Sequence, residues 1–571
     1  MTDSLNNPKI PWIRPELAQP SPYRWQEGIP DEVVARFDLN TLPLNPSWWP
    51  GIARTIAAQS VSSYPEADYA PLKRAIAGYL GIDPACVVPT AGGDEAILLT
   101  AWLALGRGDR AVVGRPTYQL HAASVRMAGA ELDLVDPLPG PTLRLDLATI
   151  AEKAKEARLV WLCSPNNPTG EEIPADTIRE IAANCPGLVC VDQAYLEFGG
   201  AADHLPLLAE CPNLVFVRTF SKGWGMGALR AGYAVANPLI AGALDALRPP
   251  GSLSTGSALG AELACAHADT MRADAANYRA ERERLAAGFQ ELGLELIGTA
   301  ANFVCARTPW SGAELFEKLA ARGLIVRTFG HEPLLADAFR ACVAVPADND
   351  KLLSALADLL GKPAPDQCDP TVGASTFGRG ALIERRTKET DIRLRTTLDG
   401  SGVATVATGV GFLDHMLTAL GHHSLMDLDL SCTGDTHIDP HHTVEDCGIV
   451  LGQAIDAALG NRAGLTRFGD ASAPLDEALG RATVDFSGRG SSTVRIAFTD
   501  TMIGELPTSL IPHLIDCIAI NARATIHVEA SGEDDHHIAE AAFKALARAL
   551  REAWAIDPRR GAQVASTKGS L

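Results

Sequence analysis

The sequence predicts two folds in series: an α/β fold with a mostly parallel sheet, then an α+β fold built from two similar halves. Three observations carry this. Short β-branched runs alternate with longer helical patterns through the first 360 or so residues. A proline-rich stretch without apolar periodicity then interrupts the chain. Beyond it, a His-His-x-x-Glu pattern occurs twice, 95 residues apart, each time at the start of a helical pattern.

In chain order, Ala111–Gly114, Leu159–Cys163 and Leu188–Asp192 read as strands, with helix-like stretches such as Pro174–Asn184 between them. Strands separated by helices imply parallel pairing, because a parallel partner needs a long crossover. From Gly361 to Gly373, two proline-flanked turns and few large side chains mark a linker. The expected division is therefore 1–362, a linker at 363–376, and 377–571. After the linker, Thr390–Leu398 and Ala404–Gly409 read as strands and Val444–Leu459 as a helix. The order recurs with strands Arg481–Phe486, Ser492–Phe498 and Ala524–Ala530 and a helix at His536–Trp554, which suggests an internal repeat.

Composition bounds the function. A chain of 571 residues accommodates two functional modules, and an apolar share of 47% suffices for sizeable cores. With 49 Lys+Arg against 69 Asp+Glu, the net charge of −20 disfavours nucleic-acid binding, which needs clustered cations. No basic segment leads into an apolar one at the N-terminus, and no run of 18 apolar residues occurs, so neither secretion nor membrane insertion is expected. The 12 cysteines form no Cys-x-x-Cys pair, which suits reduced thiols and a cytoplasmic location. Ten of the 14 histidines lie between His415 and His537. The last third has chemistry of its own.

In the first part, Lys222 follows a strand-like run, Leu214–Val217, within Arg218-Thr219-Phe220-Ser221-Lys222, and leads into Gly223-Trp224-Gly225-Met226-Gly227. A lysine there could form a Schiff base; taken alone it could equally be a solvated surface group. Its companions are Gly92-Gly93-Asp94-Glu95, Pro116-Thr117-Tyr118, Ser164-Pro165-Asn166-Asn167-Pro168-Thr169-Gly170, Asp192-Gln193-Ala194-Tyr195 and Arg230. This ordered set resembles the fold-type I, pyridoxal-phosphate-dependent transferases, with a large and a small domain, and among them the histidinol-phosphate aminotransferases.

The resemblance, over about residues 25–360, implies a role for each position. Lys222 would carry the cofactor's aldehyde carbon and then move a proton. Asp192 would pair with the pyridine nitrogen, keeping the ring an electron sink. Asn167 and Tyr195 would hydrogen-bond the phenolate oxygen, and Tyr118 would stack on the ring. Gly93, Asp94, Thr219, Ser221 and Arg230 would surround the phosphate, as helix N-termini and cations suit an anion. Tyr64 would reach the cofactor phosphate of a neighbouring copy, and Arg327 and Arg340 would bind the substrate's anionic groups. Where this family usually has Asn-Glu-Asn-Pro, this chain has Asn40-Thr41-Leu42-Pro43, beside the substrate pocket.

In the second part, the helical period puts the first His and the Glu of His-His-x-x-Glu on one face and the second His about 100° away. Such donors suit Mn²⁺, Fe²⁺ or Zn²⁺. The two units, His441-His442-Thr443-Val444-Glu445 and His536-His537-Ile538-Ala539-Glu540, are joined by Phe412-Leu413-Asp414-His415 and His513. With Arg386-Thr387-Lys388-Glu389, Gly434-Asp435, Gly464 to Gly469, Asp476-Glu477, Ser487-Gly488-Arg489 and Ser566-Thr567-Lys568-Gly569, they resemble imidazoleglycerol-phosphate dehydratase over about 379–571.

That resemblance implies two divalent metal ions, manganese by family analogy. One would take His415, His442, His513 and His537, the other His441, Glu445, His536 and Glu540. Glu389 would be the acid/base at the substrate, and Arg467, Arg489, Ser566 and Lys568 would grip its phosphate. It also implies a cage in which ligands come from more than one copy, alongside a dimerising aminotransferase.

Together the two parts imply consecutive steps. Imidazoleglycerol phosphate is dehydrated to imidazole-acetol phosphate, which is transaminated by glutamate to histidinol phosphate and 2-oxoglutarate. Two alternatives stay open: an aminotransferase for another, for instance aromatic, amino acid, and a non-catalytic binding or assembly module.

Overall fold

A computed structural model describes residues 29–30, 33–43, 46, 48–60, 62–200, 203–330, 332–365, 379–460, 462–557, 559–560 and 564–566. Lys568 and the 366–376 part of the expected linker lie outside these residues. The chain divides into two compact units, the first largely before and the second largely after residue 366.

The first unit is built on a seven-stranded sheet. Its strands are β1 (Val87–Thr90), β2 (Arg110–Gly114), β3 (Glu131–Val135), β4 (Leu159–Cys163), β5 (Leu188–Asp192), β6 (Leu214–Thr219) and β7 (Gly232–Ala236). The spatial order is β1-β7-β6-β5-β4-β2-β3, parallel except for β7, which runs against both neighbours. β4, β6 and β7 are buried along their whole length, as strands covered on both faces must be. Helices α1 (Gly92–Ala104) and α2 (Gln119–Ala128) follow β1 and β2, so their N-termini stand at the same sheet edge as the C-terminal ends of β4, β5 and β6. Ligands bind at that edge in open α/β sheets. A smaller antiparallel sheet comprises β8 (Leu296–Gly298), β9 (Phe303–Arg307), β10 (Arg327–Thr328) and β11 (Ala338–Cys342), in the order β10-β11-β9-β8.

The second unit repeats one motif. The first half runs β12 (Gly380–Arg386), β13 (Thr390–Thr397), β14 (Ala404–Ala407), α3 (Gly411–Ser424), β15 (Asp427–Gly434) and α4 (His441–Leu459). The other half runs β16 (Phe468–Leu475), β17 (Ala478–Asp485), β18 (Ser491–Ile496), α5 (Leu510–Asn521), β19 (Thr525–Ser531) and α6 (Asp535–Ala553). Each half forms a four-stranded sheet whose third and fourth strands are swapped in space, β12-β13-β15-β14 and β16-β17-β19-β18. β13, β17 and β19 alternate buried and exposed residues, so each sheet has one apolar face. The helices fill the space between those faces. They pair across the halves, α3 against α6 and α4 against α5, and one apolar core runs through both.

Glycine fixes a close approach beneath the edge of the larger sheet. A Cβ on Gly232 would lie 2.5 Å from the Gly92 carbonyl carbon and 2.9 Å from the Arg218 oxygen. Gly232→Ala should therefore destabilise the first unit by about 1–3 kcal/mol. The control Gly242→Ala, in a helix where a Cβ meets nothing within 4 Å, should be neutral or stabilising. Urea unfolding followed by near-UV circular dichroism distinguishes them, and equal midpoints would remove the packing argument.

Candidate functional sites

The ends of β5 and β6 bring the first site together. Asp192 closes β5 opposite Val217 of β6, and Lys222 lies three residues beyond the end of β6. One Asp192 oxygen accepts from the Ala194 amide (3.0 Å); the other lies 3.1 Å from His121 Nε2 on α2. The His121 ring stacks on Trp161, with centroids 4.9 Å apart and planes 10° apart, and its buried Nδ1 has no hydrogen-bond partner. The proton therefore sits on Nε2 and points at the carboxylate.

Around Lys222 the donors and acceptors are unevenly matched. Its amine reaches the carbonyls of Leu39 (3.4 Å) and Asn40 (3.2 Å) and lies 5.7 Å from the Tyr195 ring centre. Burial, helped by the Arg340 guanidinium, lowers its pKa to about 8. Tyr195, whose phenol burial pushes upward, accepts from the side-chain amides of Asn40 (3.0 Å) and Asn167 (3.4 Å). Arg340 donates to Asn167 Oδ1 (2.6 Å) and the Asp38 carbonyl (2.8 Å), and its Nε has no partner. Arg327 faces Arg340 across the β10–β11 pair.

An anion cradle adjoins them. Arg230 donates to Ser221 Oγ (3.3 Å) and Asp94 (3.1 Å), and the Tyr118 hydroxyl donates to the other Asp94 oxygen (3.0 Å). Thr219 Oγ1 accepts from the Ser221 amide (3.0 Å). At Gly92, the first residue of α1, a Cβ would lie 2.7 Å from the Arg230 guanidinium. Only a bare backbone leaves this space open above the helix N-terminus. Tyr64 stands apart, 96% exposed.

In the second unit, among the described residues, the histidines and carboxylates expected as ligands form two clusters that could hold a metal ion: His415 with His536 and Glu540, and His441 with Glu445 and His513. Within each, the ligand atoms all lie within 4.8 Å of one another. This corrects the grouping implied by the sequence, which put His415 with His513 and His441 with His536. The reason is tertiary. Because α3 packs on α6 and α4 on α5, each cluster takes a His-x-x-x-Glu face from one half and a single histidine from the other.

The remaining histidines of the two units, His442 and His537, share neither cluster. Each is gripped by a carboxylate at Nδ1, His442 by Asp435 and His537 by Glu477, both at 3.0 Å. These contacts raise both histidine pKa values, and the Glu389 carboxylate adds to the field at His442. Matched aspartates cap the two helix starts, Asp439 accepting from the His441 amide (2.7 Å) and Asp534 from that of His536 (2.8 Å). Arg467 makes a two-pronged ion pair with Asp485 (2.7 and 3.1 Å) and donates to the Ala565 carbonyl (2.7 Å), beside Ser566. Arg489 is exposed in the turn that follows β17.

Residues 35–356 match the family model of aminotransferase class I and II, and residues 408–550 that of imidazoleglycerol-phosphate dehydratase. The imidazoleglycerol-phosphate dehydratase of Nitrobacter hamburgensis is 53% identical over 194 residues, which covers 34% of this chain and 98% of that protein. That of Methylobacterium radiotolerans is also 53% identical, over 34% of this chain and 100% of its own length. The chain belongs to both families. For the aminotransferase unit, the crystal structure of histidinol-phosphate aminotransferase from Sinorhizobium meliloti, in complex with pyridoxal 5′-phosphate, superposes with a TM-score of 0.53 at 27% identity. It covers 58% of this chain and 92% of its own. The Clostridium acetobutylicum enzyme of that name, at 22% identity and TM-score 0.53 over 57% of this chain and 99% of its own, shows the same fold.

Three groups of residues went unassigned in the sequence. His121 lies three residues past Tyr118, about one helical turn, a spacing that could have drawn attention to it. Asp435 and Glu477 sat in matched motifs without a role. Lys544, whose amine lies 2.5 Å from Glu540, follows that carboxylate by one helical turn.

The lowered Lys222 pKa has a kinetic consequence in the aminotransferase unit. Only the neutral amine attacks an aldehyde, and a pKa near 8 leaves about a tenth of it neutral at pH 7. The rate at which apoprotein takes up pyridoxal phosphate, read by absorbance, should rise with pH to a midpoint near 8 and then level off. A rate still climbing at pH 10 would show an ordinary lysine.

Proposed function

We propose that the chain is a bifunctional enzyme of histidine biosynthesis. Its dehydratase unit converts imidazoleglycerol phosphate to imidazole-acetol phosphate, and its aminotransferase unit converts that product, with glutamate, to histidinol phosphate and 2-oxoglutarate. The observation that carries this reading is the presence in one chain of two families in which the product of one reaction is the substrate of the other.

The residues of the first site fit pyridoxal phosphate: an amine, a carboxylate at the end of the neighbouring strand, paired phenol and amide donors, and an anion cradle that a Cβ would fill. When bound, the cofactor supplies an aldehyde and a ring that accepts an electron pair. Lys222 holds it and moves the proton at the substrate's α-carbon. Asp192, oriented by His121, holds the ring nitrogen; Asn167 and Tyr195 hold the phenolate oxygen, and Tyr118 covers the ring. Gly93, Asp94, Thr219, Ser221 and Arg230 hold the phosphate, with Tyr64 reaching the site of another copy. Arg327 and Arg340 take the substrate's anionic end, Arg340 with an Nε still unpartnered.

Two imidazoles and a carboxylate in each cluster fit a divalent cation, and we assign Mn²⁺ to both. The cations supply Lewis acidity toward a substrate imidazole. Each cluster offers three donors, and His442 and His537 face away from both. Their Nδ1 atoms are occupied by Asp435 and Glu477. Their Nε2 atoms complete the clusters of other copies, so the active dehydratase is an oligomer. Glu389, near His442, moves the substrate proton. Arg467, Arg489, Ser566 and Lys568 bind the substrate phosphate. The two units are joined by a linker at 363–376 and work in the cytoplasm, in keeping with free cysteines and with no described helix long and apolar enough to cross a membrane.

The purified chain, given imidazoleglycerol phosphate, Mn²⁺, pyridoxal phosphate and glutamate, should form histidinol phosphate. With Lys222→Ala the reaction should stop at imidazole-acetol phosphate. Chelation of the metal should stop the dehydration while supplied imidazole-acetol phosphate is still transaminated. Accumulation of imidazole-acetol phosphate by the unaltered chain would assign the aminotransferase unit another amino acid, and no turnover by either unit would indicate a binding module.

A further inference from the structure

We propose that Lys544 makes the two metal positions of the dehydratase unit unequal, so that His441, Glu445 and His513 bind a divalent cation more tightly than His415, His536 and Glu540. The inference rests on the metal reading of both clusters. In most respects they match. Each joins two imidazoles and one carboxylate, with the His and Glu of one helix four residues apart. The two rings of a cluster have centroids 5.3 Å apart in one and 5.6 Å in the other. Aspartates two residues before the first histidine cap both helices.

They differ one turn further along each helix. Four residues past Glu540 stands Lys544, whose amine lies 2.5 Å from Glu540 Oε2 with its side chain only 22% exposed. Four residues past Glu445 stands Ile449, which carries no charge. Glu540 also lies 2.6 Å from His415. The His–Glu pairs within the two helices are alike, His536–Glu540 at 3.5 Å and His441–Glu445 at 3.7 Å, so the lysine is the charge that sets the clusters apart.

A neutral second partner orients a ligand and strengthens metal binding. An ammonium does something more: its fixed charge repels the incoming cation at close range and occupies lone pairs of the only anionic donor in the cluster. Partial burial keeps water from screening that repulsion fully. At limiting metal the unit would therefore load the Glu445 position first, leaving the Glu540 position as the exchangeable one.

Calorimetric titration of the chelator-stripped full-length chain with Mn²⁺ alone tests this without turnover. Two classes of site, one of each per chain, should appear, differing about tenfold or more in affinity, the range in which partners of metal ligands act. Lys544→Met should tighten the weaker class by about tenfold and leave the other in place. Ile449→Lys should weaken the tighter class. One class of two equal sites would overturn the inference while leaving the metal reading intact, as would a Lys544→Met protein with unchanged or weaker affinity. Absence of any Mn²⁺ binding would overturn both.

Discussion

A partly buried amine with no carboxylate partner among the described residues organises the first unit. Lys222 meets two backbone carbonyls and lies in the field of Arg340, an arrangement that disfavours its charged form. Charge burial of this kind is sustained only where the surrounding fold determines the site. Here that fold is the ladder between β5 and β6, which fixes the Asp192 and Lys222 strand ends side by side, and the contact of Gly232 with Gly92 that seats the start of α1. The amine is thereby kept ready to react, and the Asp192 carboxylate is kept on the neighbouring strand, held by His121 rather than by the lysine.

The second unit depends on the pitch of an α-helix. Two adjacent histidines cannot face the same ion, because successive side chains diverge by about 100°. The pattern therefore gives each helix an inward pair, His and Glu, and one histidine turned elsewhere. Packing α3 on α6 and α4 on α5 supplies a further histidine to each inward pair. Carboxylates at Asp435 and Glu477 occupy one nitrogen of each outward ring and set which nitrogen remains.

Much of this was legible in the amino acids. Strand-end motifs singled out Lys222, Asp192 and Asn167, which the structure brings to one sheet end, and the repeated His-His-x-x-Glu singled out the helices of the two clusters, because both are local patterns with fixed geometry. The grouping of ligands was not legible. It depends on which helix packs on which across two halves, and His415 and His513 lie on helices outside the repeated pattern. Two elements were missed too: β12, just beyond the linker, and α3, seen only as the motif around His415. Asn40 entered the sequence reading as a departure from a family pattern. Its left-handed backbone (φ 52°) turns its carbonyl to Lys222 and its amide to Tyr195, which no sequence period announces.

The shared core of the dehydratase unit bears on its ancestry. The helices of each half pack on their own sheet and keep a second face that the other half covers, α3 against α6 and α4 against α5, in one continuous core. A half-length progenitor would have hidden them against its own twin, and rotational symmetry would then have forced its two ion sites to be the same. Two halves in one chain carry no such obligation. A substitution can fall on one half only, and a lysine beside Glu540 with an isoleucine at the corresponding place near Glu445 is the kind of difference that such freedom permits.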